Sequence, residues 1–133
     1  MDNCFSKILN SIVTLQQNTD CQQDIDNSCM RPFLGTPANI ECYNTRPVTF
    51  YGCNNNLITI NYTITNEGTT EEGTSSVFRV ERVDDDTVLV NILMENPDTT
   101  QTNRPYVTTN NTAIINLNCV CAIKCLNDTI VNL

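Results

Sequence analysis

The stretch SVFRVERVDDDTVLVNILM, residues 76–94, contains two segments of alternating apolar and polar residues, separated by three aspartates. In the first segment Phe78 and Val80 alternate with charged residues, a pattern typical of a strand with one face toward a core. The run Asp84–Asp86 interrupts the alternation, which resumes from Val88 to Met94. These residues predict a β-hairpin with the three acidic residues at its turn.

Further strands are predicted on both sides of this hairpin. The clearest is residues 58–65, where Ile and Tyr alternate with Thr and Asn. Residues 67–73, which hold two glycines and three acidic residues, predict a loop. The tail from Cys119 to Leu133 has mixed periodicity and fits either a last strand or a helical turn. The remaining predicted strands are 48–53, 106–108 and 113–117, with Asn110-Asn111 as a tight turn between the last two. Short strands without intervening helices favour an antiparallel sandwich or barrel, and we expect a mainly β fold, an antiparallel β-sandwich.

An amphipathic helix is predicted at the N-terminus, from Cys4 to Gln16. Its apolar residues recur at the spacing of one helix face: Phe5, Ile8, Leu9 and Ile12. A polar stretch without periodicity follows it. We therefore expect residues 1–30 to form a helical arm and linker, and residues 31–133 a β-sandwich domain with a Cys-rich C-terminal segment. The arm either packs on the core of its own chain or docks on a neighbouring subunit.

Composition excludes several classes of protein. Of the 133 residues, 40% are apolar and 17% charged, which argues against disorder and against a coiled coil. No apolar run is long enough to span a bilayer. A formal charge of −8 disfavours binding to nucleic acid and to anionic membranes. The chain has no histidine, and so it lacks the usual general base and the commonest metal ligand.

The eight cysteines are the most unusual feature of the composition. Their spacing contains neither the C-x2-C knuckles of a zinc site nor the C-x-x-C of a redox motif. A cysteine nucleophile without a histidine partner is disfavoured. Disulfides are therefore the expected use, and because eight thiols allow 105 full pairings, the sequence does not give the connectivity. Three thiols crowded near the C-terminus leave room for bonds between chains as well as within one. The candidates for disulfides and cross-links are Cys4, Cys21, Cys29, Cys42, Cys53, Cys119, Cys121 and Cys125.

No other motif indicates a catalytic or metal centre. Asp84–Asp86 resembles a cluster of calcium ligands, but the spaced pattern of a calcium loop is absent, and acidic residues at a hairpin tip also prevent edge pairing. Asn61, Asn110 and Asn127 begin glycosylation acceptor patterns, which chance produces in a chain rich in Asn and Thr. We expect no catalytic residues, no cofactor and no metal, and hence no enzyme.

The N-terminal segment bears on the cellular compartment in which disulfides would form. Residues 1–5 lack the basic region of a signal peptide, and no apolar segment of the required length follows. Either a signal peptide has been removed, or the protein is made in the cytosol, where thiols stay reduced until later.

Three stretches resemble the spore coat and exosporium protein family that includes CotY, CotZ and ExsY. The first is RPFLG at 31–35 followed by NTRP at 44–47, and the second is VFRVERVDDD at 77–86. The third, NLNCVCAIKCL at 116–126, is the most specific, because it joins an apolar pattern to fixed thiol spacing. The resemblance extends from about Cys4 to Ile130.

This resemblance implies a structural protein of the bacterial endospore surface, in the coat or the exosporium. Such proteins are made in the mother cell, assemble with themselves into two-dimensional arrays of hexagonal character, and are cross-linked by disulfides. The expected partners are further copies of the chain, in a hexameric lattice, and other spore-surface proteins, with no nucleic acid and no membrane insertion. The alternative is a secreted, disulfide-stabilised β-domain for binding or adhesion.

Overall fold

The computed structural model describes residues 4–17 and 43–132. Helix α1 and seven strands follow one another along these residues, with one 3-10 turn, Leu117–Cys119, before the last strand. Their bounds are α1 Cys4–Gln17, β1 Val48–Gly52, β2 Ile60–Asn66, β3 Thr69–Ser75, β4 Val77–Asp84, β5 Thr87–Glu95, β6 Tyr106–Asn116 and β7 Val120–Cys125. The predicted fold class, mainly antiparallel β with an N-terminal helix, is confirmed. The predicted domain boundary at residues 30 and 31 lies outside the described residues and stays a prediction.

The larger sheet has five strands in the order β6-β5-β4-β1-β7, and each neighbouring pair is antiparallel. The predicted hairpin 76–94 is its β4–β5 pair. Asp84 is the last residue of β4 and pairs with Thr87, so the turn itself contains only Asp85 and Asp86. The C-terminal tail supplies a last strand, β7, at one edge of this sheet.

The smaller sheet is the hairpin β2–β3. The predicted loop 67–73 is wrong, because residues from Thr69 onward form β3 and only Glu67-Gly68 makes the turn. Both turn residues have positive φ, 48° and 83°, as the tight turn of a two-residue hairpin requires. β3 is nearly all polar and exposed, so no alternation marked it as a strand.

The hairpin lies against β6 through an amide contact. The Asn111 side chain accepts a hydrogen bond from the Thr63 backbone N–H at 3.3 Å and donates one to the Thr63 carbonyl at 2.9 Å. The predicted turn at Asn110-Asn111 is also wrong, because Tyr106–Asn116 is one continuous strand. Its register against β5 shifts opposite Ile92, and Asn110 takes a φ of 59° there. The Asn pair therefore marks a β-bulge rather than a chain reversal.

The core lies between the five-stranded sheet, α1 and the β2–β3 hairpin. Phe50 of β1 and Phe78 of β4 are fully buried, with their ring centroids 5.8 Å apart. Leu9 of α1 is fully buried in the same cluster, and the Gln16 side chain donates to the Val80 carbonyl of β4 at 2.8 Å. The helix therefore packs on the core of its own chain. None of the helices in the described ranges is long and apolar enough to cross a membrane.

Candidate functional site

A disulfide joins the two strands at one edge of the larger sheet. Cys53 follows the end of β1, Cys121 is the second residue of β7, and their Cα atoms are 4.8 Å apart. This separation is typical of disulfides. The bond links residues 68 apart in sequence, which become neighbours only because β1 and β7 pair. Both cysteines are exposed.

Two free, exposed thiols lie on either side of Cys121 along the chain. Cys119 ends the 3-10 turn before the strand, and Cys125 is the last residue of the strand. Cys119 therefore lies outside the strand that contains Cys121. In the described part of the chain no strand pairs with the other side of β7, and we call this side of β7 the open edge of the sheet. We call Cys53, Cys119, Cys121 and Cys125 the β7 cysteine cluster.

Charged groups lie beside one end of this cluster. Arg46 donates a hydrogen bond to the Asp128 carboxylate at 3.2 Å, and both side chains are about half exposed. This hydrogen bond raises the pKa of the Arg46 guanidinium, and an interaction with the Cys125 side chain contributes in the same direction. Nothing in the spacing of Arg46 and Asp128 along the sequence marked them as neighbours of a thiol.

A polar network holds the segment after β7 next to the segment before β1. The Asn44 side chain donates to the Val131 carbonyl at 2.8 Å and accepts from the Val131 N–H at 2.9 Å. The backbone of Thr129 pairs with Thr45 beside it. Arg79 lies under this network and donates to the Thr45 hydroxyl at 3.0 Å. The end of this edge next to Cys125 is therefore held against the core.

The other predicted cross-link cysteines are distributed differently. Cys4 is a free, exposed thiol at the start of α1, on a different element from the β7 cysteine cluster. Cys21, Cys29 and Cys42 lie outside the described residues. The structure therefore places five of the eight cysteines, four of them together at one sheet edge.

The three predicted turn aspartates do not converge on one point. Asp84 pairs with Arg82 at 3.3 Å, and both side chains are about two-thirds exposed. In residues 4–17 and 43–132 no group of three or more Cys, Asp or Glu is close enough to hold a metal ion. A polar groove of about 360 Å³ runs between α1 and this turn, with Lys7 on one side and Asp84 and Asp85 on the other.

Comparison with known proteins identifies one family. The family model described as spore coat protein Z matches residues 1–128 of the 133. This range includes α1, all seven strands and all eight cysteines. No curated protein and no solved structure matches the chain.

Proposed function

The chain belongs to the spore coat protein Z family, which gives it a structural role in the coat of the bacterial endospore, and we propose that it assembles with itself into a two-dimensional array that disulfides then cross-link. The array has hexagonal character, and its other neighbours are further spore-surface proteins. It forms at the coat or exosporium after synthesis in the mother cell.

The exposure of the cysteines is the observation that supports the proposal most directly. Cys119 and Cys125 are free and exposed beside an exposed disulfide at an open sheet edge. Cysteines that serve only the interior of a domain are among the most buried residues of a protein. Thiols in these positions are accessible to other chains without any change of fold.

The exposed thiols also lie on more than one element of the chain. Cys4 is at the start of α1, whereas the β7 cysteine cluster is at an edge of the larger sheet, so each subunit has two separate elements at which a neighbour can be bonded. An extended array requires at least two attachment points on each subunit. Links at several points turn weak contacts into durable ones, because each bond holds the other contacts at high effective concentration.

The timing of cross-linking follows from redox chemistry. Thiols stay largely reduced in a cytosol and oxidise when the surrounding cell breaks down. We infer that subunits first associate reversibly and become covalently joined afterwards. The structural role of the family also argues against an enzyme, and we propose no catalytic residues.

Purified protein tests this proposal against the alternative of a secreted, internally bonded β-domain. We expect electron microscopy to show sheets or tubes after reductant is removed. Non-reducing gels should then show a ladder or material that does not enter, which collapses to one band when a thiol reductant is added. A single compact band under both conditions, from particles that remain monomeric, would support the secreted domain instead.

A further inference from the structure

The disulfide and the free thiols of the β7 cysteine cluster lie a few residues apart on one exposed edge. We propose that cross-linking begins by exchange: the Cys125 thiolate of one copy attacks Cys121 of a second copy and converts the internal Cys53–Cys121 disulfide into a bond between chains. This inference rests on the proposed function and specifies the surface and the chemistry by which two copies become joined.

The disulfide is accessible to such an attack. Both Cys53 and Cys121 are exposed, and exchange requires that a thiolate reach one of the two sulfur atoms. The register between β1 and β7 shifts at Tyr51 and Gly52, and Cys121 has no partner on β1 at this point. A bulge at a sheet edge turns a side chain out of the regular ladder. Cys121 therefore lies in an irregular part of the ladder, and its side chain is exposed.

The backbone of β7 is prepared to pair with another strand. In an antiparallel ladder successive residues alternately bond to one neighbouring strand and point to the other side. Leu126 donates to the Pro47 carbonyl, so Cys125 and Ile123 point their N–H and C=O groups away from β1. The hydrogen bonds of β1 are consistent with this orientation. Phe50 is the partner of Ile123, and its carbonyl accepts from the Ile58 N–H instead of from β7.

A second copy of the same strand fits this edge and brings the required sulfur atoms together. If two β7 strands pair antiparallel with Ile123 on the two-fold axis, each Cys125 lies opposite Cys121 of the partner subunit. The Cα atoms of facing residues in an antiparallel pair are about 4.5–5.5 Å apart, within the range that a disulfide spans. The symmetry forms the contact twice. Lys124, the one charged residue of β7, then lies opposite Ala122 of the partner subunit rather than opposite another lysine.

The exchange needs no oxidant. The Cys125 sulfur, as a thiolate, forms a bond to the Cys121 sulfur, the Cys53–Cys121 bond breaks, and Cys53 leaves as a thiolate. The proton lost by Cys125 is balanced by the proton that Cys53 takes up from solvent. One disulfide is lost and one is formed, so the number of free thiols does not change.

Oxidative coupling gives a different result at the same edge. With Ala122 on the axis, Cys125 faces the start of the partner subunit's β7, next to Cys119 of the partner subunit, and both residues are thiols. A bond between them requires an oxidant that accepts two electrons, and it consumes two thiols for each bond. Counting thiols therefore separates the two routes.

The test starts from protein with the Cys53–Cys121 bond formed and the other thiols free, concentrated in deoxygenated buffer with a metal chelator. We expect cross-linked dimers on a non-reducing gel while the number of thiols that react with an alkylating probe stays constant. Mass spectrometry of the alkylated, digested dimer should find Cys121 joined to Cys125, and Cys53 newly alkylated. A loss of two thiols per dimer, or dimers in which Cys53 and Cys121 remain joined, would overturn the inference.

Two matched pairs of variants test the nucleophile and the pairing. Cys125→Ser should slow oxidant-free dimer formation by at least about tenfold, because the attacking thiolate is missing, whereas Cys119→Ser should leave it nearly unchanged. Ile123→Pro removes an N–H that faces the open edge and should also suppress dimers, whereas Ile123→Ala keeps that N–H and should form them. Equal rates for Cys125→Ser and Cys119→Ser would refute the exchange. If all variants cross-link only once an oxidant is supplied, the exchange is wrong and the proposed function stands. If none cross-links even then, the proposed function fails as well.

Discussion

Arg79 is buried in the larger sheet, with only 7% of its surface exposed. Its guanidinium donates to the Thr45 hydroxyl at 3.0 Å, to Glu81 at 2.6 Å and to the Asn44 carbonyl at 3.3 Å. A buried charge is tolerated only when it is paired and hydrogen-bonded in this way. Asn44 and Thr45 also bind the segment after β7. Arg79 therefore helps to hold the end of β7 near Cys125 in place.

Replacement of Arg79 should therefore be costly. We expect Arg79→Met to lower the free energy of unfolding by about 2–4 kcal/mol, since it leaves Glu81 and two backbone or hydroxyl acceptors without their donor. Urea denaturation under non-reducing conditions measures this. The matched control is Arg82→Met on the same strand, where the pair with Asp84 is well exposed and its loss should cost under about 1 kcal/mol. Equal losses in the two variants would contradict the role assigned to Arg79.

Asp98 supplies a test of the polar loop between β5 and β6. Its carboxylate accepts hydrogen bonds from the Thr100 hydroxyl at 2.5 Å and the Thr100 N–H at 3.1 Å, and these lower the pKa of Asp98. A lowered pKa means that this contribution to stability is present above the unfolded-state pKa. It disappears as the pH falls through the folded-state value.

Removal of the Thr100 hydroxyl should bring the pKa of Asp98 part of the way back to its ordinary value. We expect the pKa of Asp98 to rise in Thr100→Val but to remain lowered, because the backbone N–H still donates. An NMR titration of the side chain measures the change. Thr99→Val, one residue away, should leave the titration where it is in the native chain. An unchanged Asp98 titration in Thr100→Val would show that the hydroxyl has no such effect.

At the scale of elements, α1 is part of the folded core. Leu9 is fully buried against the sheet, whereas the adjacent Ile8 is half exposed. We expect Leu9→Ala to destabilise the isolated chain by about 2–5 kcal/mol, and Ile8→Ala by less than about 1 kcal/mol. Urea denaturation of both variants at low protein concentration, where assembly is negligible, measures the difference. A stability in Leu9→Ala equal to that of the native chain would mean that the helix does not pack in this way in solution.

Local pattern predicted the elements that combine regular alternation with burial. The helix and the β4–β5 hairpin were predictable because their buried residues belong to regular apolar series. Leu9 belongs to a series with the period of a helix, and Phe78 and Val90 belong to series with the period of a strand. β3 was missed because its strand character depends on backbone pairing to β2, and its polar side chains carry no alternation. Asn110 was misread because a positive φ suits both a tight turn and a bulge.

For the cysteine site, the residues involved could be predicted from the sequence, but their arrangement could not. The crowding of thiols near the C-terminus indicated cross-linking chemistry, but the pairing of Cys53 with Cys121 spans 68 residues. It depends on β1 and β7 lying side by side, a contact that no local pattern encodes. The position of Arg46 beside Cys125 is set by the same strand pairing.

At the scale of the whole molecule, the fold presents thiols on a negatively charged particle. The net charge of −8 makes copies repel one another at long range, and salt screens this repulsion. Reversible contacts between such subunits are therefore weak individually. Covalent bonds formed after association would convert them into a durable shell, which is the central claim of the proposed function.

That claim predicts that cysteine decides durability and not folding. The native protein and a variant in which six of the candidate cross-link residues are replaced by serine are assembled side by side and oxidised in air, so that bonds between chains do not depend on exchange at Cys121. The assemblies are then placed in concentrated guanidinium chloride without reductant. The variant carries serine at Cys4, Cys21, Cys29, Cys119, Cys121 and Cys125. A Cys53→Ser protein, which loses the internal disulfide but keeps these six thiols, is the control.

Sedimentation after denaturant treatment is the decisive measurement, with circular dichroism in buffer to show that each chain retains its β-structure. We expect native and Cys53→Ser assemblies to stay in the pellet until reductant is added, and the assemblies of the serine variant to dissolve at once. Serine-variant assemblies that remain in the pellet without reductant would contradict the account.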